Sequence, residues 1–188
     1  MHDVKLKDIA EIYSGLSYRR YLDDNGVECD VVVQRSIKGD GVINDFEKIR
    51  LNSEIKERFF SKKCDVLMRM PYPFDVVHPN LEGLVISDRI AIIRLHNNHD
   101  PAFIAHLLTN AHVKKQLHDI GSTERIPHIS IKEIKEINLR VPDYETQVKY
   151  GELLNTINEK IAQDLKVVEY DRRLKEGILN KLWGQDDE

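Results

Sequence analysis

Apolar residues fall along this chain in two rhythms. Up to about residue 142 they come in short runs: Val31-Val32-Val33, Asp65-Val66-Leu67-Met68, Leu84-Val85-Ile86 and Ile90-Ala91-Ile92-Ile93. Each is β-branched or apolar and is bounded by Gly, Pro, Asp or Asn, so each predicts a strand, and together they suggest one curved sheet. Turn signals separate them at Asp24-Asn25-Gly26, Lys38-Gly39-Asp40-Gly41, Met70-Pro71-Tyr72-Pro73-Phe74 and His78-Pro79-Asn80. Much of this part is therefore loop, and loops on a rigid sheet are where recognition groups usually sit.

One helix is well signalled here, from about Pro101 to Ile120, with Asp100 as cap, Pro101 at the first position and Gly121 at the end. Phe103, Ile104, Leu107, Leu108, Ala111 and Leu117 recur at helical spacing and predict its buried face, while Lys114 and Lys115 suit the last turns. A minor helical start falls at Ser53.

After Pro142 the rhythm changes. From Asp143 to Leu182 there is no proline, and only Gly151 and Gly177 interrupt strong helix formers, which predicts one long helix. Leu154, Ile157, Ile161, Leu165, Val168, Leu174, Ile178 and Leu182 recur at steps of three and four, apart from one gap across Asp171. A narrow stripe of that kind requires a partner helix. About 40 residues at ~1.5 Å each make a rod of ~60 Å, longer than the domain needs for its own core, so the second helix is expected from another chain. The expected architecture is α+β: a domain over 1–142 built on a mixed, curved β-sheet, then one long coiled-coil helix with a short tail over 143–188.

A chain of 188 residues with 41% hydrophobic residues can bury a core unaided. It has no apolar run of ~18 residues and opens on charged sequence, so a soluble, cytoplasmic protein is expected, with no membrane contact. Cys29 and Cys64 have no CxxC partner and suggest neither disulfide nor zinc cage. The net charge of -4 speaks against nucleic acid until it is divided: residues 1–142 hold 21 acidic and 21 basic side chains, and the rest hold 11 and 7. The first part is neutral and can still focus positive charge on one face, with low, salt-dependent affinity by itself.

At the junction, Gly121-Ser122-Thr123 is followed by Ile126-Pro127-His128-Ile129, then Ile131-Lys132-Glu133-Ile134-Lys135-Glu136-Ile137, Leu139-Arg140-Val141-Pro142, and Gln147 before the helix. In order and spacing this run resembles the end of a target-recognition domain in the specificity subunits of type I restriction-modification systems. The opening Leu6-Lys7-Asp8-Ile9-Ala10-Glu11-Ile12 with Ser14-Gly15 is similar to the start of such a domain, and Cys64-Asp65-Val66-Leu67 resembles its GDIL strand with Cys in place of Gly. The resemblance spans nearly the whole chain and is unspecific between residues 16 and 100. Family members typically carry two recognition domains and two spacer helices; this chain carries one of each. The resemblance implies double-stranded DNA as ligand, and methyltransferase (M) and restriction (R) subunits as partners that supply adenine methylation and cleavage. It also implies no catalytic residue and no cofactor in this chain. Two copies joined through the long helix would rebuild the two-domain object and read a palindromic, bipartite site.

Base edges in the major groove are read by Arg, Lys, Asn, Gln and hydroxyl groups on loops. The candidates are Ser17, Tyr18, Arg19 and Arg20, with Tyr21 closing that cluster; Gln34, Arg35 and Lys38, with Ser36 between them; and Arg69 between strand and proline loop. Ordinary surface charge is the alternative for each. Arg125 fits a phosphate contact or a local pair with Glu124. The polar faces of the long helix at Lys166, Arg172, Arg173 and Lys175 suit docking of the methyltransferase.

His96-Asn97-Asn98-His99 and the series His106, His112, His118 suggest a metal only superficially, because a spacing of six turns each helical residue by ~240° from the last. No glycine-rich phosphate loop is present, and the Glu-x-Lys matches at Glu54-Ile55-Lys56 and Glu133-Ile134-Lys135 are too short to indicate a nuclease. The rival reading is a protein-binding adaptor dimerised by the helix, favoured by the neutral charge and opposed by the junction pattern; an independent nuclease is a third.

Overall fold

A computed structural model of the chain describes residues 1–39, 41–43, 45–121 and 127–184. In chain order its elements are β1 (His2–Lys5), α1 (Leu6–Ile9), β2 (Ala10–Ser14), β3 (Leu22–Val32), β4 (Glu47–Leu51), β5 (Asp65–Arg69), β6 (Val76–Val77), β7 (Val85–Ile86) and β8 (Ile90–Leu95). Then follow α2 (Pro101–Leu108), α3 (Ala111–Gly121), α4 (Ile131–Lys135), β9 (Asn138–Val141) and α5 (Tyr144–Leu182). Single 3-10 turns lie at Tyr18–Tyr21, Gln34–Ser36 and Glu57–Phe59.

The expected single curved sheet is instead three sheets, ordered β2-β8-β5-β6, β4-β3-β7 and β1-β9. The apolar runs explain the division, because successive strand residues point to opposite faces. In β8, Ala91, Ile93 and Leu95 face a core shared with Leu6, Ile104, Leu108 and Leu117 on the helical side. Ile90 and Ile92 face a second core, where Leu67 and Val77 meet Val32 and Ile86 of the smaller sheet. Val31 and Val85, one residue back on the same strands, turn to a third cluster with Leu16, Leu51 and Phe59. A run buried on both faces is what a strand enclosed between two layers requires.

The expected Pro101–Ile120 helix is broken at Thr109-Asn110. The Asn110 side chain accepts from the His112 backbone N–H at 2.9 Å and so caps a second helix. The break turns α3 relative to α2, leaving Ala111 exposed and burying Val113. The helical start at Ser53 yields only the 3-10 turn Glu57–Phe59.

Helix α5 begins at Asp143, whose carboxylate accepts from the Thr146 backbone N–H at 3.0 Å. Its first turns pack on α2 through buried Gln147 and Gly151. The Gln147 amide donates to the Pro142 carbonyl at 2.9 Å, and its oxygen accepts from the Asp100 N–H at 3.1 Å, tying the starts of α5 and α2 together. A Cβ on Gly151 would run into the Asp100 carboxylate, which explains glycine inside this helix. Gln147→Ala strands two backbone polar groups, and each buried unsatisfied group costs about 1–3 kcal/mol. A lower urea midpoint followed by circular dichroism is the expected result.

Candidate nucleic-acid interface

Four chain segments meet at one end of the two larger sheets. Strands β2 and β5 both run antiparallel to β8, so the exits of β2 and β5 lie beside the entry to β8. Strands β3 and β7 run parallel and leave their sheet at the same end. Backbone bonds lace these exits together: Leu16 N–H to Ile86 O at 2.7 Å, Asp88 N–H to Leu16 O at 3.0 Å, Ser87 N–H to Val32 O at 3.0 Å and Met70 N–H to Arg89 O at 3.1 Å. Gly15 permits this approach, since a Cβ there would strike the Ser87 and Ile86 carbonyls. The proline loop after β5 joins the same end and is held by Pro127 and Ile129, with Tyr72 N–H to Pro127 O and Ile129 N–H to Met70 O both 2.9 Å.

Of the sequence candidates, Tyr18, Arg35, Lys38 and Arg69 lie at or just beyond these exits, with their charges in different states. Arg35 pairs with Glu47 at 3.0 Å, and the Tyr18 hydroxyl donates to the other oxygen of the same carboxylate at 3.0 Å. Burial first, and then that bond to Glu47, push the Tyr18 phenol above its ordinary pKa. Lys38 pairs with Asp45 at 3.0 Å. Arg69 is mostly buried against Asp75, Nη1 to Oδ2 3.0 Å, and its Nε has no hydrogen-bond partner among the described residues. Ser17 is half-buried just before the first 3-10 turn and Gln34 half-buried within the second, while Arg19 and Arg20 are exposed on the first turn, whose last residue, Tyr21, accepts from the Asn52 N–H at 2.9 Å beyond the far end of β4. Arg125 lies outside the described residues.

Two side chains at this end were not singled out by sequence. Arg89 sits in the Ser87-Asp88-Arg89 turn at the centre of the laced exits; it is exposed and has no side-chain partner among the described residues. Tyr72 projects from the proline loop, 57% exposed, its ring edge-on to Phe74 with centroids 5.9 Å apart. The available signal was the polar tripeptide between two apolar runs.

The difference matters electrostatically. A guanidinium already committed to a carboxylate must lose that pair, or carry its negative partner along, to meet a phosphate or a base edge. Arg19, Arg20 and Arg89 are exposed and paired with no carboxylate among the described residues, and of the three Arg89 lies at the laced exits.

The long helix presents a second surface. Seven of the eight stripe residues, Ile157, Ile161, Leu165, Val168, Leu174, Ile178 and Leu182, are between 44% and 77% exposed, and Leu154 is half-buried. From Gln163 to Gly184 every residue is exposed. Lys166 lines a cleft of about 960 Å³ between α5 and the loops that carry Gly41 and His78, so it faces the domain. Arg173 pairs with Glu169 at 2.9 Å. His106 Nε2 lies 2.9 Å from the Asn155 side-chain oxygen and joins α2 to α5. Among the described residues no helix is long and apolar enough to cross a membrane.

The family model described as "Type I restriction modification DNA specificity domain" matches residues 1–182. The chain is similar in fold to an HsdS subunit from Thermoanaerobacter tengcongensis, with a TM-score of 0.69 at 17% identity over 96% of this chain and 47% of that one. It is similar to a chain from a structure titled for complex assembly and conformational transition of the type I R-M system, with a TM-score of 0.68 at 20% identity over 96% and 45%. It is also similar to a type I S subunit from M. genitalium, with a TM-score of 0.57 at 16% identity over 96% and 45%. The chain thus spans somewhat under half the length of these structures. No curated protein matches it by sequence.

Proposed function

This chain belongs to the family of type I restriction modification DNA specificity domains, and on that premise we propose that it reads one half of a bipartite DNA target and directs partner methyltransferase and restriction subunits to it. Catalysis is left to those partners. The observation that carries the reading is the convergence of four chain exits at one end, where Arg89 is exposed without a carboxylate partner among the described residues. Two copies joined through the exposed stripe of α5 make the two-domain reader, and twofold symmetry makes its half-sites inverted repeats. Exposed cations on α5, Arg172 and Lys175, belong to the surface offered to the methyltransferase.

A protein-binding adaptor is the competing function, and salt separates the two. Binding to duplex DNA should weaken steeply with salt, by about 0.9 in log-log slope for each phosphate neutralised. Affinity that is flat in salt, or no DNA binding beside tight binding to a protein, would favour the adaptor. Arg89→Ala should relax the target at one base position and cost about 1–3 kcal/mol there if the guanidinium reads a base, or flatten the salt slope by about one unit if it meets a phosphate. Arg69→Ala should act mainly on stability, because it strands Asp75. Competition binding over a library of duplexes distinguishes these outcomes.

A further inference from the structure

The turn that joins β7 to β8 carries a carboxylate as well as a guanidinium. Its Ser87 carbonyl accepts from the Ile90 N–H at 3.0 Å, which leaves Asp88 and Arg89 exposed at the tip. The backbone of the tip is fixed from three sides: Ser87 N–H donates to Val32 O at 3.0 Å, Asp88 N–H to Leu16 O at 3.0 Å, and Met70 N–H to Arg89 O at 3.1 Å. Both side chains therefore start from a rigid base at the centre of the converging exits.

Aspartate is common in turns because its side chain bonds backbone groups within the turn. Asp88 is not used in that way, since its carboxylate has no hydrogen bond and no ion pair among the described residues. The other carboxylates near this end are neutralised, Glu47 by Arg35, Asp45 by Lys38 and Asp75 by Arg69. A free carboxylate on a surface that meets phosphates is repelled by them, so it weakens binding to every sequence unless a base offsets the repulsion. An ionised carboxylate accepts hydrogen bonds and donates none. In the major groove guanine offers acceptors, and thymine an acceptor and a methyl group. Adenine sets its N7 acceptor beside its amino group, whereas cytosine offers the N4 amino donor alone. Cytosine is thus the one base whose edge suits Asp88 with no opposed lone pair.

Resting on the reading of this chain as a DNA reader, we propose that Asp88 is a specificity-determining residue that accepts a hydrogen bond from a cytosine N4 amino group in the major groove. Arg89 beside it offsets the charge of the turn. Neighbouring Cα atoms are about 3.8 Å apart, close to the ~3.4 Å between successive bases of a strand, so the two side chains reach adjacent steps. Asp88 acts largely by exclusion: the repulsion that cytosine offsets is left uncompensated at the acceptor edges of guanine and thymine.

Selection from a library of randomised duplexes at low salt, with the full chain, tests this. The wild type should enrich a motif with a cytosine position at which Asp88→Ala loses roughly fivefold or more in preference, the other positions being unchanged. The same variant should bind duplex without the motif more tightly, because a negative charge has been removed. Asp88→Asn should move that position from cytosine towards adenine, whose N6 and N7 an amide can pair with. Urea midpoints of both variants should match the wild type. A motif that both variants select as the wild type does, or a loss of affinity shared by all duplexes, overturns the role of Asp88 and leaves DNA reading intact. A wild-type chain that selects no motif, alone and with the methyltransferase subunit proposed as its partner, overturns both.

Discussion

Under the proposed pairing of α5 with a second copy, Ile161→Asp should convert the dimer to a monomer. The residue is 49% exposed in the single chain and lies mid-stripe among Ile157, Leu165 and Val168. Pairing α5 with a second copy removes it from water, and an uncompensated charge buried in this way costs about 3 kcal/mol or more. Twofold symmetry introduces two such charges, so the dimer weakens by roughly four orders of magnitude at ~1.4 kcal/mol per tenfold. Light scattering should give the monomer mass at micromolar concentration, with unchanged unfolding of the domain. Asn180→Asp, off the stripe, should leave the dimer intact. A dimeric Ile161→Asp protein would mean that the stripe is not the interface.

The second large effect lies in the core. Asp65 is fully buried and takes a two-pronged contact from Arg94, Nε to Oδ1 and Nη2 to Oδ2 both 2.8 Å. Arg94 also donates to the Phe60 carbonyl at 3.0 Å, and the Lys62 N–H donates to Asp65 at 2.8 Å. The bond to Asp65 holds the guanidinium pKa above its ordinary value. Asp65→Ala leaves a mostly buried cation unpaired between β5 and β8, which typically costs about 3–5 kcal/mol, a large fraction of a domain's stability of about 5–15 kcal/mol. Asp65→Leu combined with Arg94→Met should recover most of the loss, because the pair's worth over an apolar replacement is small. Urea unfolding of both variants checks this, and a single mutant as stable as wild type would contradict it.

The long helix was legible because its signals are local: the Asp143 cap, the absence of proline and a stripe at steps of three and four. The division into sheets was not. Val31-Val32 and Ile90-Ala91-Ile92-Ile93 are apolar on both faces, so nothing in them records which layer each residue meets. The break at Asn110 was written in the sequence, but the apolar spacing runs through it and hides it. At the recognition end the residue types were readable and their partners were not. Glu47 reaches Arg35, Asp45 reaches Lys38 and Asp75 reaches Arg69 only after loops have folded back. Arg89 becomes conspicuous only when the exits of β2, β3, β5 and β7 are seen to close around it.

The measurement that most directly tests a DNA-reading function is a base-resolution map of methylated adenines in cells that co-express this chain with the methyltransferase subunit proposed as its partner. The expected result is one inverted, bipartite motif that disappears when the chain is omitted. An active methyltransferase that leaves no motif dependent on this chain would contradict it.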